Sequence, residues 1–178
     1  MGPAHSPRLR WIIINAMIMA LGLTLPVAFH AVGLGNKFLP MLLPLLLNGF
    51  LSPLGWGVLT GALTPLVSAL FTGMPPLYPP VAVAMSAEAM VLAGVARLIY
   101  AGRRSRLWPA LITAIICGRL TSAVLSWAIA RMVGLPPALS VGASMLQGLP
   151  GVALQLAVIP WVVAALSSRR GLLFEDAS

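Results

Sequence analysis

The sequence predicts an all-α integral membrane protein, a compact bundle of six transmembrane helices. Three observations carry that prediction. Hydrophobic residues make up 60% of the chain and charged residues 8%, which leaves too few polar groups to coat a soluble globule. The apolar runs are continuous instead of alternating, so helices and not barrel strands are the spanning elements. At about 20 residues per span, the length allows roughly six spans and no separate soluble domain. Residues 1–178 are therefore expected to form one membrane domain with a mean hydropathy of +1.00.

The first span is expected at 11–34. It is too long for a signal-peptide core and lacks a small-residue cleavage site, so it is expected to stay in the membrane. Within it, NAMIMALG (15–22) sets Ala16 and Ala20 four residues apart, with Gly22 close by. Small residues at this spacing let another membrane helix approach closely, either within the bundle or from a partner protein. The second and third spans, 38–54 and 56–71, are parted only by SPLGWG (52–57) and interrupted by Pro40, Pro44 and Pro65. Each would be about 25 Å long and the two together about 50 Å, too long for a single crossing. Two short helices bordering a cavity are expected, since broken backbone in a membrane is confined to protein-buried or water-lined places.

TGMPPLYPP (72–80) follows, with four prolines in nine residues. Proline fixes φ and lacks an N–H, so this segment reads as a stiff connector. Pro79 and Pro80 suit the first turn of the next helix, where missing N–H groups cost little. The remaining spans are expected at 81–101, 107–133 and 143–166, joined by AGRRSR (101–106) and a connector containing GLPPALSV (134–141).

Cationic residues test the count. Arg8 and Arg10, the AGRRSR arginines 103, 104 and 106, and Arg169 and Arg170 all fall on one side if there are six spans. The positive-inside rule then makes both termini cytoplasmic. The net charge of +8 is accounted for by topology and anionic membrane lipid, with no nucleic acid needed. Cys117 stands alone, so no internal disulfide forms and a packing role is expected. No Walker-type loop, HExxH, CxxC or nucleophile elbow is present. Neither an enzyme nor a cofactor is expected, and anything this chain moves must draw energy from a partner.

Ionisable residues inside a bilayer cost about 2.5 to 3.5 kcal/mol each on insertion scales, which makes them candidates for function. Glu88 is twelve residues before Tyr100, and Arg119 twelve after Leu107. Both therefore lie about 18 Å from the arginine-rich boundary, near the midplane, where antiparallel neighbours would let them pair. Such a pair fixes helix register or belongs to a polar ligand pocket. Gln147, Gly151 and Gln155 recur at i, i+4 and i+8, and Ser122 and Ser126 follow Arg119 at helical spacing, which makes a polar stripe. Asn48 joins this layer or bonds helix to helix. His30 ends the first span near the outer surface, and without a second His or Cys nearby no metal site is expected. Trp127 and Tyr78 belong to an aromatic belt or stack on a flat ligand. Over a pocket, Tyr78 and its prolines would act as a rigid lid. Met74, Met85 and Met90 read as adaptable packing.

These residues resemble the substrate-binding S components of energy-coupling factor (ECF) transporters, of an uncharacterised vitamin-uptake type. The resemblance runs from Ala16 to Tyr100 and is looser beyond. It rests on Ala16 and Ala20 as an AxxxA motif, on LPMLLPLLLNGFLSPLGWGVLTGALTPLVSALFTGMPP (39–76), and on MSAE (85–88). It implies a six-helix binder that captures a vitamin or related small organic micronutrient from outside. Transport would need a transmembrane T protein, met through Ala16 and Ala20, and two ATPases. The implied ligand cavity opens outward, with Glu88, Arg119, Gln147, Gln155 and Trp127 at suitable depths and the proline connector as a cap. Related sequences commonly read PMHIP where this one has PMLLP (40–44), so a substrate is not carried over from them. Nickel and cobalt members use an N-terminal Met-His, whereas this chain begins Met1-Gly2, which favours an organic ligand. The competing reading is a structural or scaffolding membrane protein of the cell-shape machinery with the same six helices.

Overall fold

A computed structural model describes residues 7–31, 33, 39–100, 106–134 and 136–167. The described residues form six helices and no strand: α1 (Pro7–Ala31), α2 (Leu42–Leu51), α3 (Leu54–Thr72), α4 (Val81–Tyr100), α5 (Leu107–Val133) and α6 (Pro137–Ser167). The all-α prediction holds. Five of the helices are long and apolar enough to cross a membrane, and α2, with 10 residues, is not. The chain is a multi-pass membrane protein.

Helix α1 starts at Pro7 where 11 was expected, and α2 and α6 also differ from the sequence expectation. The second span was expected over 38–54, but its helix is confined to Leu42–Leu51 by a turn at Leu39–Met41 and by extended backbone at Ser52 before Pro53. The sixth helix starts at Pro137, inside a segment read as a connector, because proline is suited to a helix's first turn and does not end it there.

The short helix is the centre of the bundle. It packs against α1, α3, α4 and α6, and Leu42, Leu45, Leu46 and Phe50 are almost fully buried. A helix that is apolar all round belongs inside, and one wrapped by protein need not reach both membrane faces. The α4 helix packs on α2, α3 and α5, and α5 packs on α6. Small residues set the α4 contacts: a Cβ on Gly49 would lie 2.9 Å from the Ala93 Cα, and one on Gly61 would lie 2.9 Å from the Ala89 carbonyl oxygen. Close backbone approach of this kind drives association where lipid offers no hydrophobic contrast. At the end where α2 turns into α3, Phe50 meets Tyr100 edge to face, with ring centroids 5.2 Å apart.

A buried polar cluster fastens α1 to α2 and α3. Asn15 Oδ1 accepts from Asn48 Nδ2 and from the Thr60 hydroxyl, each at 2.8 Å. Asn15 Nδ2 donates to the Trp11 carbonyl at 2.8 Å and to Ser52 Oγ at 3.3 Å, and Ser52 Oγ donates to Asn48 Oδ1 at 2.6 Å. All four side chains are buried, and mutual bonding removes the penalty that an unpaired amide would incur in lipid. The opposite face of α1 is open, with Ile12, Ile13, Met17 and Leu21 exposed and Ala16 and Ala20 among them.

Candidate functional site

The antiparallel α4 and α5 bring Glu88 and Arg119 together, as their matched depths predict. Arg119 Nη2 pairs with Glu88 Oε1, and the two side chains are 15% and 3% exposed. Gly148 on α6 completes the arrangement, because the Arg119 guanidinium occupies the space that a Cβ at Gly148 would need. One arginine therefore reaches the helices on either side of its own. The same absent Cβ would stand 3.6 Å from Leu39 Cδ1, which places Leu39 against this layer.

Leu39 also lines a cavity of about 280 Å³ at the end of the bundle that carries the proline connector. The turn before α2 contributes Pro40 and Met41, and α4 contributes Val81 and Met85. From α1 come Pro26 and His30, and the connector supplies Met74, Pro75 and Pro76. Met85 stands one helical turn before Glu88, so the ion pair lies beneath this cavity along α4. Leu39 adopts φ 44°, a left-handed conformation that costs a residue with a Cβ about 1–2 kcal/mol. Its surroundings hold it there.

A second cavity of about 220 Å³ adjoins the first and shares Pro26, His30 and Met74 with it. Its other walls include Ser68 and Thr72 of α3. Those hydroxyls fix the connector: Ser68 Oγ donates to the Met74 carbonyl at 2.6 Å, and the Met74 N–H donates to Thr72 Oγ1 at 3.2 Å. At the connector's far end, the Ala82 N–H donates to the Pro76 carbonyl at 3.1 Å. The segment has two cis peptide bonds, at Met74–Pro75 and Tyr78–Pro79. It is bonded at both ends and covers the cavity with Met74 and its prolines.

The other sequence-predicted residues lie elsewhere. Tyr78 is 82% exposed and does not line either cavity. Trp127 is on the outside of α5, with the Arg131 guanidinium 5.4 Å from its ring centroid. Asn48 belongs to the cluster around Asn15, and Gln155 is buried in α6. The side chain of Gln147 is outside the described residues. Among the predicted ligand contacts whose side chains are described, His30 lines the cavities, while Glu88 and Arg119 form the layer below. Sequence reasoning passed over Asn15, Ser52 and Thr60, although an Asn within the first apolar run was a signal. It also took Met74 and Met85 as packing and did not consider Met41 or Pro26.

Among the described residues no group of three or more His, Cys, Asp or Glu side chains is placed to hold a metal ion. The described walls of the larger cavity offer apolar contact and one imidazole, above the Glu88–Arg119 ion pair. Comparison with curated proteins and with solved structures gives no match. A family model described as ECF transporter, substrate-specific component, matches residues 10–163, most of the chain. With that match over six packed helices, the chain belongs to the family of ECF transporter substrate-specific components.

Proposed function

We propose that this chain captures a vitamin or related small organic micronutrient at the proline-connector end and presents it to an energy-coupling module of one T protein and two ATPases. The observation that carries this reading is the cavity itself: an opening of about 280 Å³ between α1, α2 and α4, covered by a connector bonded at both ends. Concave apolar sites with a few polar groups are the usual form of small-molecule pockets. Membership of a family of substrate-specific components agrees with it. The exposed Ala16 and Ala20 form the surface for the T protein, since small residues on a free helix face admit a second helix closely. The termini are cytoplasmic, the cavity opens outward, and the membrane is the plasma membrane of a prokaryote.

Binding and uptake separate in the test. Cells that express the chain with a T protein and two ATPases accumulate the ligand, whereas Ala16→Trp with Ala20→Trp leaves ligand binding intact and abolishes accumulation. Unchanged accumulation by that double variant would contradict the assignment of α1 as the coupling surface.

A further inference from the structure

We infer that the molecule received by the larger cavity is a neutral, flat aromatic compound of one or two rings with one hydrogen-bonding atom at its edge. This rests on the capture reading above and adds the chemical class of the ligand. Three properties of the walls lead to it.

The first is charge. Among the described residues, no carboxylate, ammonium or guanidinium lines the cavity, and the nearest charged side chain along α4, Glu88, is paired with Arg119 of α5. A ligand anion or cation would give up its hydration without gaining a counter-charge, which is strongly unfavourable. In this reading Glu88 and Arg119, paired with each other, close the floor of the cavity.

The second is shape and softness. Of the ten described lining residues, four are prolines and three are methionines. Pyrrolidine faces and aromatic faces pack well on one another, as when proline-rich segments dock in aromatic-lined grooves. Thioethers make favourable contacts with ring edges and adapt to ring outline. Met41 presents one from the turn before α2, Met85 one from α4 and Met74 one from the connector. A volume of about 280 Å³ is at the small end of ligand pockets, which run from roughly 300 to 1,000 Å³, and this limits the molecule to one or two rings.

The third is the one polar side chain among the described lining residues, His30. His30 lines both cavities, and a neutral imidazole offers one donor and one acceptor nitrogen. The ligand's hydrogen-bonding atom therefore lies at the ring edge that faces the smaller cavity.

A matched set of probes tests this on the full chain in detergent: 1-naphthol, its saturated counterpart decahydro-1-naphthol, and 1-naphthoate. Binding is read as the rise in thermal unfolding midpoint at fixed micelle concentration, with Val81→Trp, which fills the cavity, as the blank for partition into micelles. The inference expects 1-naphthol to bind about tenfold or more tighter than either comparison compound, through loss of ring contacts in one and unpaired charge in the other. Met41→Leu and Met85→Leu keep the volume and should weaken 1-naphthol several-fold without weakening decahydro-1-naphthol. Equal or tighter binding of 1-naphthoate or of the saturated alcohol overturns the inference. So does 1-naphthol binding that persists in Val81→Trp. A charged or saturated molecule found on the purified protein would overturn the ring assignment and leave capture standing. Cavity-dependent 1-naphthol binding by a chain that supports no uptake with any module would instead overturn the transport reading.

Discussion

Glu88 and Arg119 stand where an unpaired charge is costly. Their side chains are 3% and 15% exposed within helices that cross the bilayer, so each supplies the counter-charge that the other lacks. Removing one partner of a buried pair costs about 3–5 kcal/mol, whereas replacing both with well-packed neutral groups is often close to neutral. Arg119→Met is therefore expected to lower the unfolding midpoint in detergent strongly, and Glu88→Gln with Arg119→Met to recover most of the loss. A double variant no more stable than the single one would mean that the pair does not act as a unit. Gly148→Leu should resemble Arg119→Met, because a side chain there takes the space of the guanidinium. The pair was legible in the sequence because membrane depth follows from residue count: twelve positions from each helix end set both groups at one level. Asn15 was not legible in the same way. Its partners Asn48, Ser52 and Thr60 are at least 33 residues away in sequence, and no periodicity says which face of α1 meets them.

Helix α1 is held by one face only. Its polar anchor at Asn15 and the close approach of Gly22 to Thr64 bind it to α2 and α3, which leaves the Ala16 and Ala20 face free. Asn15→Leu would strand the Asn48 amide and the Thr60 hydroxyl, at about 1–3 kcal/mol for each unsatisfied group. A clear fall in unfolding midpoint is expected, and an unchanged midpoint would show that the cluster contributes nothing to holding α1. The short α2 explains why the apolar runs predicted the number of helices better than their lengths. A run of 38–54 reads as one segment to hydropathy, yet backbone geometry at Leu39–Met41 and Ser52 trims it at both ends. A cavity beside the short helices was expected, but its walls were not readable, for a related reason. Its walls come from α1, α2, α4 and the connector, and they are made of proline and methionine, residue types that elsewhere mark turns and packing.

For the whole molecule, the proposed orientation rests on the arginines, which fall on one side if the chain crosses six times. With Cys117 replaced by Ala, a membrane-impermeant maleimide should label Leu77→Cys but not Arg106→Cys in intact cells. Labelling of Arg106→Cys alone would invert the topology and direct the cavity to the cytoplasm. The central claim is that the cavity beneath the proline connector holds the cargo. Mass spectrometry of small molecules released from the gently purified protein tests this most directly, when wild type is compared with the cavity-filled Val81→Trp. The account predicts one organic compound, near one per chain, from the wild type and none from the variant. Release of the same compound in equal amount from both proteins would contradict it.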